Sequence, residues 1–234
     1  NPAVGHLFDR IVDAGGSAFF DETTETIGAE KIVAARCVNP DVSRKFLDLV
    51  EDTEARAKAT GEDIRTINPV PQNIKAGITT LEEKSLGAIA KSGTKPIQEV
   101  LPYGGRPKGK GLHFMDGWPL GHSIFLGMAS CGAQLVIYQL GGGDLPPVDP
   151  PVPSTSSGVV APIVMCTGNP RTYAKAENNV DFSAGTVIES KETITEAGER
   201  LFRLILKVAS GEMTKAETLN YDEPVELPFR GPLL

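Results

Sequence analysis

Two glutamates three positions apart form the first group of side chains that could do chemistry. Glu22 and Glu25 lie in a segment of acidic residues and threonines that directly follows a short apolar stretch, residues 17–20. Two carboxylates at this spacing can hold a divalent metal ion or act as acid and base. Acidic residues ahead of a helix also stabilise its N-terminus, so a solvated acidic turn explains the same pattern. Composition alone favours the turn.

A glycine followed by two threonines forms the second group. Gly77 precedes Thr79 and Thr80, and Asn73 and Lys75 lie just upstream. Such a helix start presents backbone N–H groups and hydroxyls that can bind a substrate carboxylate. An ordinary capped surface helix begins in the same way. The spacing leaves the two interpretations evenly balanced.

Three glycines after a predicted strand form the third group. Gly141, Gly142 and Gly143 follow the apolar stretch 135–140. Glycine allows the backbone to approach a ligand closely, which makes this loop a candidate for substrate contact. The run lacks GxGxxG spacing and a following helix, which excludes a dinucleotide fingerprint, and no GxxxxGK[ST] phosphate loop occurs in the chain.

Alternating helices and short strands must position these groups. Apolar spacing predicts helices over 2–14, 28–37, 41–60 and 193–209, and strands over 17–20, 97–101, 112–115, 135–140 and 159–166. Thr79 with Glu82, or Thr80 with Glu83, fits a capping box that opens a further helix running to Lys91. The order favours an α/β fold, with a mostly parallel sheet flanked by helices in Rossmann-like layers. Residues 141–158 are rich in proline and glycine, so we expect a loop there.

Composition and charge limit the class of protein. The 234 residues are 40% hydrophobic and 23% charged, which is typical of a soluble globular protein. The net charge of −7 argues against a nucleic-acid partner, because phosphate recognition needs concentrated Lys and Arg. No apolar run approaches the roughly 20 residues that span a bilayer, so no membrane partner is expected. Three cysteines without CxxC spacing are typical of reduced, mostly buried thiols in a cytoplasmic protein.

Several segments resemble, in order, those of the altronate/galactarate dehydratase family. The most specific is residues 76–87, Ala-Gly-Ile-Thr-Thr-Leu-Glu-Glu-Lys-Ser-Leu-Gly, with Asn73 ahead of it. Residues 22–30 resemble the family's ExxExxGAE segment, 180–185 its DFxAG step and 229–232 its C-terminal tail. The resemblance therefore spans almost the whole chain.

The resemblance implies a lyase. Family members remove water from a hydroxylated sugar acid such as altronate or galactarate to give a 2-keto-3-deoxy acid, aided by a divalent metal, Fe(II) or Mn(II). Glu22 and Glu25 would then contact the metal or act as base, with Lys75 as a further catalytic candidate. The residues expected to bind the substrate are Asn73, Gly77, Thr79, Thr80 and Gly142.

Family members also carry further N-terminal regions. We therefore expect residues 1–234 to be a single C-terminal domain of a larger cytoplasmic enzyme. Its expected partners are a small sugar-acid substrate, those missing N-terminal regions or another subunit, and further copies in a homo-oligomer. On this view the isolated domain holds only part of the active site.

Two alternatives to a sugar-acid dehydratase stay open. Residues 140–143, Leu-Gly-Gly-Gly, stand where sugar-acid dehydratases carry Thr-Gly-Arg-Gly, so the arginine that would pair with a substrate carboxylate is missing. This leaves room for a carbon–sulfur lyase such as a (2R)-sulfolactate sulfo-lyase subunit. The second alternative is a non-catalytic scaffold or oligomerisation domain of such an enzyme.

Overall fold

The computed structural model describes residues 1–75, 77–117, 121–140 and 161–218. Their α-helices are α1 (Pro2–Asp13), α2 (Glu30–Ala35), α3 (Pro40–Lys58), α4 (Ile64–Ile67), α5 (Pro71–Lys75), α6 (Leu81–Ile89), α7 (Gly121–Cys131), α8 (Pro170–Ala176), α9 (Gly185–Ile188), α10 (Ile194–Ala209) and α11 (Lys215–Thr218). The strands are β1 (Ser17–Phe20), β2 (Ile97–Leu101), β3 (Gly111–Met115), β4 (Val136–Leu140), β5 (Ile163–Thr167) and β6 (Phe182–Ser183). Short 3₁₀ helices cover Thr23–Glu25 and Ala90–Ser92.

The strands form two parallel sheets of three strands each. The first has the order β1-β3-β2, with Ser17 in register with Gly111 and Phe20 with Phe114. The second has the order β4-β5-β6. Parallel strands need crossover connections, which the helices provide. The predicted α/β fold with parallel strands and flanking helices is thus confirmed.

Helices cover both faces of the first sheet. On one face, Phe20, Phe46 and Phe114 pack edge to face, with ring centroids 5.0 Å apart in each contact. Burying one such side chain contributes roughly 1.5–3 kcal/mol. On the other face Phe19 joins a cluster that contains Phe125 of α7. Since successive strand residues point to opposite faces, the sheet lies between helical layers.

The helix α10 shows how local sequence fixes an element. Thr193 accepts a hydrogen bond from the Glu196 amide, and the Glu196 carboxylate accepts one from the Thr193 amide, which forms a complete capping box. Leu201, Ile205 and Val208 recur at helical spacing and are buried against α1 and the second sheet. The helix predicted over 193–209 is confirmed, together with the strand at 17–20.

Other boundaries differ from prediction. The strand predicted over 159–166 begins at Ile163 among the described residues. The next helix, α8, begins after Asn169, whose side chain accepts hydrogen bonds from the Arg171 and Thr172 amides. The loop predicted at 141–158 lies outside the described residues. That residues 1–234 form one domain stays a prediction.

The three cysteines are unpaired thiols, two of them buried, as expected from their scattered spacing. Among the described helices, none has the length and apolar character needed to cross a bilayer.

Candidate active site

Polar side chains collect where β1 and β3 end. Asp21 to Glu25 follow β1, and Asp116 follows β3. The Thr23 hydroxyl donates to the Asp116 carboxylate at 3.0 Å, and the Thr23 amide donates to the Gly117 carbonyl at 3.3 Å. These bonds fix the loop after β1 against the loop after β3. Ligand sites of open parallel sheets lie at this carboxyl edge.

Glu22 has a strained backbone. Its φ of 68° and ψ of 70° lie in the left-handed region, which non-glycine residues seldom adopt. Such a conformation costs about 1–3 kcal/mol and persists only where surrounding contacts enforce it. Here the Thr23 contacts hold the following residue, and Lys91 binds the Glu22 carboxylate. Strain of this kind concentrates at functional sites.

Two lysines and two glutamates form a compact charge cluster. Lys91 Nζ donates to Glu22 Oε2 and lies 3.7 Å from Glu25 Oε2. Lys84 Nζ lies 2.9 Å from Glu25 Oε1 and also donates to Asn68 Oδ1 at 2.8 Å. The four charged side chains are only 17–20% exposed. Charges this well shielded from water interact more strongly than surface pairs.

The two glutamates titrate in opposite directions. Burial raises the pKa of Glu22, and the Glu25 charge raises it further; Lys91 offsets part of this, and the result is about 7. For Glu25, burial is outweighed by Lys91, by the hydrogen bond from Glu22 and by Lys84, which hold its pKa at about 2. Environments that separate the pKa values of two neighbouring carboxyls are typical of acid–base sites. Glu25 stays ionised at neutral pH, whereas Glu22 exchanges a proton.

Asp21 adds a third, deeply buried carboxyl. Its residue is 6% exposed, and its Oδ2 atom has no hydrogen-bond partner in the described part of the chain. Burial, together with the Glu22 and Glu25 charges, places the pKa of Asp21 well above its usual range. Burial disfavours a charged Lys91, but Glu22, Glu25 and Asp21 outweigh it and raise the pKa of Lys91. The cluster therefore contains a permanent cation beside proton-accepting groups.

The two sequence motifs pack directly on each other. Gly28, in the acidic segment, has a φ of 84°, and a Cβ there would lie 2.5 Å from Glu82 Cγ. Glycine is required for both reasons. Because Glu82 lies in the first turn of α6, this contact fixes α6 against the acidic segment. The helix can then direct Lys84, and Lys91 in the following 3₁₀ turn, at the two glutamates.

The threonines predicted to bind substrate cap α6. Thr80 Oγ1 accepts a hydrogen bond from the Glu83 amide at 3.1 Å. Glu83 Oε2 in turn accepts from the Thr79 amide at 2.8 Å and from the Thr79 hydroxyl at 2.7 Å. Thr80 is thus the N-cap of α6, as one of the two predicted capping boxes requires, but the box is incomplete because the Glu83 carboxylate accepts from Thr79 and not from the Thr80 amide. Both threonines are exposed, and a role in substrate binding stays a prediction.

The other predicted site residues lie in the segment ahead of α6. Asn73 is half-buried in α5, where its side chain accepts a hydrogen bond from the Val70 amide at 3.3 Å. Lys75 ends α5 and is exposed, and Gly77 follows with a φ of 106°. Within the described residues, neither Asn73 nor Lys75 forms a hydrogen bond or ion pair with Glu22 or Glu25. The predicted substrate-binding residue Gly142 lies outside the described residues.

The described residues do not assemble a metal site by themselves. Over the described ranges, no group of three or more His, Cys, Asp or Glu side chains is placed to hold an ion. Glu22 and Glu25 face ammonium groups, which compete with a metal for the same oxygens. Asp21 adds only a carboxyl whose protonated form is favoured. A divalent ion here would need further ligands from polypeptide beyond the described residues.

Sequence reasoning located the glutamates but missed Lys84, Lys91 and Asp21 as members of the site. One signal was present, since Lys84 and Lys91 lie seven residues apart and side chains two helical turns apart share a face. Which charged group that face would meet depends on the packing of α6 against the acidic segment. That long-range contact is not readable from spacing.

Comparison with known proteins finds, over nearly the whole chain, the same dehydratase family that the sequence motifs resemble. The sequence profile of the D-galactarate/altronate dehydratase C-terminal region matches residues 1–228. The chain is 32% identical over 225 residues to the (2R)-sulfolactate sulfo-lyase subunit beta of Chromohalobacter salexigens, covering 95% of this chain and 55% of that protein. It is 34% identical over 213 residues to the galactarate dehydratase (L-threo-forming) of Escherichia coli, covering 91% and 38%. It is 30% identical over 223 residues to the altronate dehydratase of Bacillus subtilis, covering 95% and 42%. The chain thus spans about half the length of these relatives or less.

Proposed function

Because the chain belongs to the D-galactarate/altronate dehydratase family, we propose that the protein is a lyase that removes water from a hydroxylated sugar acid. The product is a 2-keto-3-deoxy acid. The observation that carries the proposal is the Glu22–Lys91–Glu25 cluster, in which one carboxyl exchanges a proton near neutral pH beside a fixed cation. An elimination next to a carboxylate requires such a pair of groups.

We assign the role of general base to Glu22. In its ionised form it takes the proton from the carbon next to the substrate carboxylate, and the electron pair forms an enediolate. The bond from the neighbouring carbon to its hydroxyl then breaks, and the hydroxide leaves as water with the proton that Glu22 has taken up. The resulting enol tautomerises to the 2-keto acid: the carbon that lost the hydroxyl gains a proton, and the enol hydroxyl loses one. A base with a pKa of about 7 is matched to this task at neutral pH.

Lys91 and Glu25 support this step electrostatically. The Lys91 ammonium is held beside Glu22 and stabilises negative charge that develops on the substrate. Glu25, held ionised by Lys91 and Lys84, keeps both lysines protonated and in place. Removal of Glu25 would therefore alter the environment of Glu22. Glu25 acts as a positioning residue in this scheme.

Substrate binding and the metal belong to the same proposal. Asn73, Gly77, Thr79 and Thr80 at the start of α6, Gly142, and Lys75 as a further catalytic candidate remain the residues proposed to meet the substrate. A divalent ion, Fe(II) or Mn(II), would act as a Lewis acid on the substrate oxygens when bound. No step above depends on it.

Carbon–sulfur elimination is the second candidate. The sulfo-lyase subunit matches 95% of this chain at 32% identity, and its name assigns it sulfolactate. The same proton abstraction applies, but sulfite leaves in place of hydroxide. The two candidates differ in the group released, which makes them separable by product analysis.

The test is an activity assay of the complete polypeptide with galactarate, altronate and sulfolactate. Formation of a keto acid without sulfite supports the dehydratase, and release of sulfite supports the sulfo-lyase. We expect Glu22→Gln to reduce kcat by about 10²–10⁴-fold, as for loss of a general base. Glu51→Gln, on the exposed surface of α3, is the control and retains wild-type kcat. Full activity of Glu22→Gln would contradict the role of general base and favour a non-catalytic scaffold role for this domain.

A further inference from the structure

A slot of about 880 Å³ separates the two sheets. The residues of β1 line one side and those of β4 the other. Helices α1 and α10 contribute Val4, Phe8 and Ile205 to its walls, and α7 contributes Phe125 and Met128. Phe8 packs with one face of the first sheet, and Phe125 packs with the other. Helices thus cover both faces of the slot, and its two long sides are strand edges.

Backbone groups of β1 point into this slot. The Gly111 amide of β3 donates to the Gly16 carbonyl at 3.2 Å. Successive residues of a strand direct their N–H and C=O groups to opposite edges, so every second residue from Gly16 faces β3. The groups of Ser17, Phe19 and Asp21 therefore face the slot. In the described part of the chain, β3 is the strand that pairs with β1.

The edge of β4 is its counterpart. The Val136 amide donates to the Pro162 carbonyl at 2.9 Å, at the start of the pairing with β5. By the same alternation, the backbone groups of Leu135, Ile137 and Gln139 face the slot. Each side of the slot thus offers three residues with backbone donors and acceptors. A strand that lies between two such rows can form backbone hydrogen bonds with both.

The side chains of β4 are those of an interior strand. Its sequence is a nearly continuous apolar run, which is typical of parallel strands buried on both faces. Ile137 and Tyr138 nevertheless remain half-buried. Asp21, at the end of β1, has a buried carboxylate oxygen without a partner and lines the same slot. Both features indicate that a neighbour of β4 and β1 is missing from the described residues.

The edges of the slot suit an extended segment. Backbone groups of β1 and β4 lie along its two long sides. A strand can pair with both rows, whereas the N–H and C=O groups of a helix already bond within the helix.

We propose that the slot takes one extended segment of the additional polypeptide that the relatives carry, running parallel to β1 and joining the two sheets into one. The matched region is 38–55% of those relatives, so ample sequence lies outside it. Helix α1 lines the slot and leads through a short turn into β1, as the helix of a βαβ unit leads into its second strand. In such units the first strand lies parallel to the second in the same sheet. The carboxyl end of the added strand then lies beside Asp21 and Glu22.

Proline substitution in the complete polypeptide tests this proposal without reference to activity. Ile137→Pro removes a backbone N–H that faces the slot, whereas Val136→Pro removes one that bonds to Pro162. If a strand pairs with β4, both variants lose stability to a similar extent, because interior strands do not tolerate proline. If the edge is free, Ile137→Pro is tolerated and only Val136→Pro unfolds at lower urea. The second result would overturn the proposal.

Hydrogen exchange distinguishes a strand of the same polypeptide from a strand of a second copy. We expect the slot-facing amides of Phe19, Ile137 and Gln139 to exchange as slowly as the sheet-paired amides of Phe20 and Val136. Protection that persists when the protein is diluted to single chains supports a strand from the same polypeptide. Protection that disappears on dilution would assign the strand to a second copy and contradict the proposal, as would fast exchange at every concentration.

Discussion

Glu22 and Glu25 share the ammonium group of Lys91, yet Glu22 has a pKa of about 7 and Glu25 a pKa of about 2. Burial dominates for Glu22. Glu25 has a second lysine, Lys84, 2.9 Å from its Oε1 atom, and it accepts the hydrogen bond from Glu22. One carboxyl is therefore a fixed anion and the other a proton carrier.

The stability of the protein should depend on the protonation of Glu22. Its pKa is about 7 in the folded protein against an ordinary value of 4.5, so the folded state binds more protons between these values. The contribution of Glu22 to the free energy of unfolding is complete below pH 4.5 and is lost as the pH rises through 7. Glutamine does not titrate. The unfolding free energy of Glu22→Gln, measured relative to wild type, should therefore increase by about 3 kcal/mol between pH 4.5 and 8. Urea unfolding at both pH values measures it, and parallel curves for wild type and variant would contradict the assignment.

Breaking the cluster should be costly. Lys91→Met leaves Glu22 and Glu25 without their shared cation in a site shielded from water, and loss of one partner of a buried ion pair costs about 3–5 kcal/mol. We expect a loss near the lower value at pH 8. Adding Glu22→Gln removes one of the two stranded anions and restores part of the stability. A double variant with the summed losses of its parents would show that the two residues are not coupled.

Contact between the two motifs can be tested at Gly28. A residue other than glycine at position 28 must keep a φ of 84°, and its Cβ would clash with Glu82. Gly61 has a similar φ of 86° but open space around it. Gly61→Ala should cost about 1–2 kcal/mol for the left-handed backbone alone. Gly28→Ala adds the clash, worth about a further 1–3 kcal/mol. Equal losses on urea unfolding would indicate that the acidic segment and α6 do not pack closely.

The threonine cap of α6 separates a structural role from substrate binding. Thr80 and Thr193 both cap helices through a side-chain oxygen, so alanine at either position should lower stability by about 1 kcal/mol. Only Thr80→Ala is expected to raise KM, because only α6 begins next to the residues proposed to bind the substrate. An unchanged KM in Thr80→Ala would restrict Thr80 to capping.

Local pattern and long-range packing explain what the sequence could predict. The strand at 17–20, the helix start at Thr80 and the amphipathic α10 follow from spacing over a few residues, and each is present in the structure. The partnership of Lys91 with Glu22 joins side chains 69 positions apart. It depends on how α6 lies against the acidic segment, which no local period encodes. The raised pKa of Glu22 follows from that packing and was equally beyond the sequence.

The pH dependence of kcat/KM tests the role of Glu22 most directly. In the wild type we expect activity to rise with pH through about 7, because the base must lose its proton. Lys91→Met removes the charge that lowers the pKa of Glu22, so the rising limb should move to higher pH. Lys207→Met, which changes an exposed lysine of α10, is the control and should leave the limb in place. A limb that stays at the same pH in Lys91→Met would contradict Glu22 as the base.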